Sequence, residues 1–240
     1  MNAPKNQTIG QIVSEDYRAA GIFKKFGLDF CCGGKRTVSE ACEKKGVDLE
    51  ELTSELQTLN ETESNNQNYN DWSPSFLIDY IINNHHQFVR TKLPEISAYT
   101  KKVAKVHGRG RPGLVEIRDI FLALQPELLE HLEKEEQVLF PYIKTMLEYE
   151  QQGSKLQKKP DFKTVKNPVR MMEAEHDEAG SAMEKIQELT DNFTPPKDAC
   201  ATYRVLFQNL EAFQNDLHKH VHLENNILFP KALALEKRVN

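Results

Sequence analysis

The chain has 240 residues, 39% of them hydrophobic and 28% charged, with a formal net charge of −5 and a mean hydropathy of −0.61. That balance suits a globular chain of one large or two smaller domains, and it excludes a membrane span: no run approaches the roughly 18 apolar residues required, and the best, Phe76 to Ile82, is broken by Asp79. Basic residues are scattered rather than massed, so the concentrated positive face that a nucleic acid needs is absent and no nucleic-acid partner is expected.

Residues 1–58 predict a small helical unit. Gly27 ends a helix carrying Tyr17, Ile22 and Phe23. Thr37 and Glu40 have capping-box spacing, and Lys44, Lys45 and Gly46 suit the end of the helix they open. Asp48 caps a further short helix through Leu52 and Leu56. Asn60 to Asp71 is polar, Asn-rich and aperiodic, which places a linker at 59–72.

Four long helical patterns fill 73–240. The first opens at Ser73-Pro74, a cap followed by a first-turn proline, and ends at His107 before a Gly-rich loop at 108–113. The second runs from Leu114 to Tyr149, with Pro126 and Pro141 expected to kink or divide it. The third opens at Asn167-Pro168 and runs to Asp191; the fourth runs from Asp198 to Leu235. Few strand signals accompany them, so the predicted fold is all-α: an antiparallel four-helix bundle with a small helical N-terminal domain.

Two segments share a pattern. HLEKEEQVLFP at 131–141 and HVHLENNILFP at 220–230 both read His-x-x-x-Glu-x-x-(Val/Ile)-Leu-Phe-Pro without a gap. Eight histidines among 36 acidic residues in 240 give about one His-x-x-x-acid pair by chance. Two pairs in one downstream register signal an internal repeat. It extends upstream, because His86 precedes His131 by 45 residues and His176 precedes His220 by 44.

All six polar residues fall on apolar stripes. These read Ile82, His86, Val89, Leu93 and Ile96; Ile117, Phe121, Leu124, Leu128, His131, Glu135 and Val138; Met172, His176, Ala179, Met183 and Ile186; and Tyr203, Leu206, Leu210, Phe213, Leu217, His220, Glu224 and Ile227. A carboxylate in a bundle core is costly unless a positive group compensates it, and no basic residue stands near Glu135 or Glu224 on these seams. Imidazole and carboxylate donors together suit iron or manganese, and bundles build two-ion sites from inward residues on facing helices. Six ligands on four helices give two ions, each with two histidines and sharing both glutamates, with open positions for an oxo group, water or a small molecule. A structural zinc site favours thiolates and fits less well.

Other polar residues carry weaker signals. His85 shares a stripe with Ile81, Phe88 and Lys92, so His86 is the preferred ligand of the two. His218 and His222 point away from His220 as solvated or outer groups; His107 closes its helix; Glu133, Glu136 and Glu175 read as surface or site-rim acids. Cys31 and Cys32 are adjacent, which excludes C-x-x-C geometry, and the two following glycines allow close backbone approach to a partner. They are a candidate catalytic thiol pair, accepting iron or trading electrons; the alternative is two inert buried side chains. Cys42 and Cys200 are isolated. Four cysteines make no disulfide scaffold, and the N-terminal MNAPKNQ lacks the apolar stretch of a secretory signal, so a reducing cytoplasm is expected.

The paired HxxxExxxLFP elements, EHDEAG around His176, LENNILFP, and DFCCGG at 29–34 resemble the hemerythrin-like di-iron proteins that repair iron–sulfur clusters, the RIC proteins of the YtfE/ScdA type. The resemblance covers nearly the whole chain. It implies a hemerythrin-like bundle and a non-haem centre of two Fe ions, oxo- and carboxylate-bridged, held by residues matching His86, His131, Glu135, His176, His220 and Glu224. It further implies a cytoplasmic stress protein, a homodimer through the N-terminal unit, that acts on iron–sulfur proteins damaged by nitric oxide or oxidants, supplying iron rather than turning over a substrate. A nitric-oxide reductase or peroxidase, or a module sensing oxygen or nitric oxide, is the alternative. Oxygen-carrying hemerythrins use a lopsided five-histidine set, and the two-plus-two pattern here departs from it.

Overall fold

The computed structural model describes residues 5–59, 68–158 and 160–240. The N-terminal unit contains α1 (Ile9–Glu15), α2 (Ala19–Lys25), α3 (Val38–Lys45) and α4 (Leu49–Thr58). Three of its four helix starts are set by side chains that satisfy otherwise orphaned backbone groups. Thr37 and Glu40 form a reciprocal capping box, and Gly46 leaves α3 in the left-handed conformation at φ +68°. Asp48 accepts from the N–H groups of Glu50 and Glu51. A further capping box, Thr8 with Gln11, opens α1. Tyr17 is not on a helix with Ile22 and Phe23; it sits in the turn before α2, because Asp16 ends α1 in an extended conformation and its carboxylate accepts from the Arg18 N–H.

Of the expected linker, residues 60–67 lie outside the described residues. Tyr69–Asp71 form a short 3₁₀ turn, and Tyr69 is a core residue rather than part of a polar tether, its ring edge-on to Trp72 at 4.8 Å.

Four long helices form the bundle. α5 is α-helical over Pro74–Tyr80, π-helical over Ile81–His86 and α-helical again over Gln87–His107. α6 consists of Gly113–Lys134, π-helical Glu135–Leu139 and Phe140–Gln151. α7 is an unbroken Lys166–Leu189, and α8 consists of Ala201–Leu223, π-helical Glu224–Leu228 and Phe229–Val239. Among the described residues there is no strand, only one isolated bridge between Thr8 and Thr37, and no helix is long and apolar enough to cross a membrane.

Helix starts differ from expectation in two places. α7 begins before Asn167, because the buried Glu236 carboxylate of α8 accepts from the Val165 N–H at 2.8 Å and so fixes the first turn there. α8 begins at Ala201 rather than near Asp198, whose carboxylate pairs with Arg111 at 2.7 Å.

The π segments explain the Leu-Phe-Pro repeat. α6 passes through Pro126 without interruption, and its irregularity falls at Glu135–Leu139, immediately before Pro141. A proline ring inside an α-helix collides with the carbonyl four residues earlier. For Pro141 and Pro230 those residues are Gln137 and Asn226, both inside π turns, whose wider winding relieves the collision. The extra residue also shifts the inward register by one. Val138, expected on the buried stripe, is 45% exposed, and Leu139 is buried in its place. In α5 the same shift buries Ile81 and leaves Ile82 half-buried.

Two apolar clusters make up the core. One joins the N-terminal unit (Val13, Phe23, Leu52) to the bundle through Leu93, Phe121, Met183 and Phe213. The other gathers Tyr69, Leu77, Phe140, Met172 and Phe229 at the opposite end. Along each long helix the predicted polar residues fall between these clusters, forming a buried polar layer between two apolar ones.

Candidate metal centre

All six predicted residues are buried and converge. His86, Glu135, His220 and Glu224 present ligand atoms within 4.8 Å of one another, as do His131, Glu135, His176 and Glu224. Glu135 Oε2 lies 3.4 Å from His86 Nε2 and 3.5 Å from His131 Nε2. Glu224 Oε1 lies 3.0 Å from His220 Nε2, and its Oε2 lies 3.1 Å from His176 Nε2. Each group therefore takes one histidine from each half of the sequence repeat, and both glutamates belong to both groups. Three of the four helices place these residues at or beside their π segments.

The outward nitrogens are held by residues that sequence reasoning treated as peripheral or passed over. The Nδ1 atoms of His86, His131 and His176 lie 2.7, 2.8 and 2.9 Å from Glu136, Glu175 and Asn225 respectively. Glu136 and Glu175 are in turn paired with Arg90 and Lys134. Glu136, Glu175 and Asn225 each adjoin a predicted site residue in sequence and serve a histidine on another helix. That adjacency is the signal that could have found them. His85 is buried, with Nδ1 2.9 Å from Asp216, and it stacks on His220.

The electrostatics without an ion are those of an unbalanced site. Burial, then the neighbouring Glu224, pushes the Glu135 carboxyl well up. Burial acts the same way on Glu224, but the charge and hydrogen bonds of His220 and His176 overcome it and hold that carboxyl well down. Burial lowers His86 to about 4. The hydrogen bond from His131, with Lys134 adding to it, keeps Glu175 down at about 2. Both Glu135 oxygens and His86 Nε2 are buried without a hydrogen-bond partner. An ion would satisfy these atoms, and four imidazoles with two carboxylates suit a borderline or hard transition metal. The residues present thus fit a cation site. A cavity of about 140 Å³ between α6 and α7 reaches His131 and His176 past Leu128, Lys134 and Glu175.

Comparison with known proteins agrees with this geometry. The family model described as the hemerythrin HHE cation binding domain matches residues 77–232. The chain belongs to the hemerythrin HHE family. Within that family it is similar to proteins named iron-sulfur cluster repair protein YtfE. The Cronobacter sakazakii protein is 39% identical over 237 residues, covering 97% of this chain and 99% of the relative. Those of Dickeya chrysanthemi and Yersinia pestis (strain Pestoides F) are 36% and 35% identical, with the same coverage. A family model for a domain of unknown function, ScdA_N, matches residues 5–60, N-terminal to the hemerythrin HHE match.

Cys31 and Cys32 belong to neither His/Glu group of this hemerythrin HHE chain. They cluster with Asp29, whose Oδ1 accepts from the amides of Cys31 and Cys32 and from the Cys31 thiol, while Oδ2 accepts from Gly33 N–H. Asp29 thus ties the turn together. Cys31 is buried and Cys32 half-buried; both line a cleft of about 380 Å³ between the N-terminal unit and α7. His218 lines the same cleft, and His222 is buried against Tyr17 and Phe30, so both face the N-terminal unit rather than water. His107 Nε2 meets Cys200 Sγ at 3.4 Å.

Proposed function

We propose that this protein repairs iron–sulfur clusters damaged by nitrosative or oxidative stress by supplying iron from a two-ion centre in its bundle. The observation that carries the reading is the pair of buried carboxylates, each shared by two groups of histidine nitrogens. His86 and His220 would hold one ion and His131 and His176 the other, with Glu135 and Glu224 shared. Bound there, iron is kept by exchangeable nitrogen and oxygen donors rather than by the thiolates of a cluster.

The chain's own residues prepare that site. Glu136, Glu175 and Asn225 hold three histidines at Nδ1, so that Nε2 faces inward. Arg90 and Lys134 pair with the two outer carboxylates. Phe140 and Phe229, whose rings stack on His86 and His176, wall off water on one side. The cavity at His131 and His176 suits the entry of a small molecule such as nitric oxide or dioxygen. Action in the cytoplasm, damaged iron–sulfur proteins as partners, and dimerisation through the N-terminal unit belong to the same proposal and rest on family membership. So does a thiol role for Cys31 and Cys32, which the cleft position of Cys32 supports.

The test pairs metal analysis with a repair assay. The expected result is about two irons per chain and iron loss in step with recovery of an enzyme whose cluster nitric oxide has damaged. Zinc alone would overturn the reading, as would sustained turnover of nitric oxide with the iron retained and no recovery.

A further inference from the structure

The two ion-holding groups are supported unequally, and the inequality traces to one residue. In each half of the repeat, the first histidine is preceded by a residue that the fold brings to the second histidine of the other half. Before His176 stands Glu175, which accepts from His131 Nδ1 at 2.8 Å and is itself paired with Lys134. Before His86 stands His85, which lies against His220 at the corresponding place. A carboxylate can accept an N–H in the plane of the donor ring. The His85 ring cannot do so here: it is stacked parallel to His220, with an interplanar angle of 5° and centroids 5.4 Å apart. Its own Nδ1 is engaged by Asp216.

His220 Nδ1 is accordingly buried with no hydrogen-bond partner, the one outward nitrogen of the four histidines in that condition among the described residues. When Nε2 binds a metal, Nδ1 must carry the proton, so His220 would bury an unanswered donor. No hydrogen bond at that nitrogen fixes the ring's orientation; the Asp216 carboxylate, one turn earlier, acts on the ring by its charge alone. Loss of such an outer partner weakens metal binding about 10–100-fold. The group of His131 and His176 has both outer partners; the group of His86 and His220 has only Glu136.

We propose that the ion held by His86 and His220 is the one this protein surrenders, while the ion held by His131 and His176 is retained, and that His85 sets the difference. The inference rests on the proposed two-iron reading and adds to it which ion is cargo.

The experiment follows iron release from the loaded full-length protein into a colourless high-affinity chelator, read as irons remaining per chain against time. Release in two phases of about one iron each is expected, the first about tenfold or more faster than the second. His85→Glu, made together with Asp216→Asn to avoid a new carboxylate pair, slows the fast phase toward the slow one. Glu175→His, which copies the poorer arrangement into the other group, speeds the slow phase toward the fast one. If the first double variant does not fold, Glu175→His decides alone. Single-phase release of both irons, or rates unmoved by either change, overturns the assignment and leaves the two-iron reading standing. Failure of the wild-type chain to take up iron overturns both.

Discussion

The side-chain amide of Asn226 donates to the Cys31 carbonyl at 3.1 Å, and the same π turn carries Glu224 two residues earlier. One turn of α8 thereby supplies a candidate ligand and the anchor of the Cys-Cys loop. The glycines flanking this contact are there for space. A Cβ on Gly34 would lie 2.5 Å from Asn226 Oδ1, and one on Gly10 would lie 2.3 Å from it. Gly34→Ala should therefore destabilise the chain by about 1–3 kcal/mol. In an Asn226→Ala background, where the colliding atoms are gone, the same change should cost less than about 0.5 kcal/mol. Urea denaturation of the four proteins measures the coupling; equal costs in both backgrounds would disprove the contact.

Glu135 sets stability against metal binding. Both its oxygens are buried and unpartnered without an ion, and replacing such an unanswered carboxyl by an apolar side chain of similar volume relieves the desolvation cost. Glu135→Leu should stabilise the metal-free protein by about 1–3 kcal/mol while lowering the iron bound per chain. Denaturation of the metal-free variant alongside metal analysis checks both signs, and a destabilised apo-variant would show that Glu135 is satisfied in some other way.

Glu136 touches the candidate site at His86 Nδ1, 2.7 Å away. Glu136→Ala should weaken iron affinity about 10–100-fold with helicity unchanged, as read by chelator competition and far-ultraviolet dichroism. Glu133, exposed on the same helix, provides the control. An equal loss in Glu133→Ala would mean that surface charge, not ring orientation, is responsible.

The π turn of α6 aims Glu135 at the cost of helical regularity. Deleting the exposed Val138 restores one α-helical register while keeping Leu139, Phe140 and Ile143 on the inward side. The deletion variant should keep its helical content and bind about half the wild-type iron or less. Full iron loading in a well-folded deletion variant would remove the π turn from the account of the site.

Sequence alone determined the four long helices, the short helices capped at Thr37 and Asp48, the Ser73 cap, and the placement of six polar residues on inward stripes, because side-chain direction along a helix follows local periodicity. The repeat even identified equivalent positions in the two halves. Periodicity assumes regular winding, however, and so it misplaced Val138 and Ile82, where a π turn adds a residue. Only the tertiary structure decided that His86 joins His220 and His131 joins His176, that Glu136, Glu175 and Asn225 stand behind the histidines, and that His218 and His222 face a docked N-terminal unit. Those relations depend on which helices are neighbours and on the distance between atoms far apart in the chain. A stripe drawn along one helix carries no information about either.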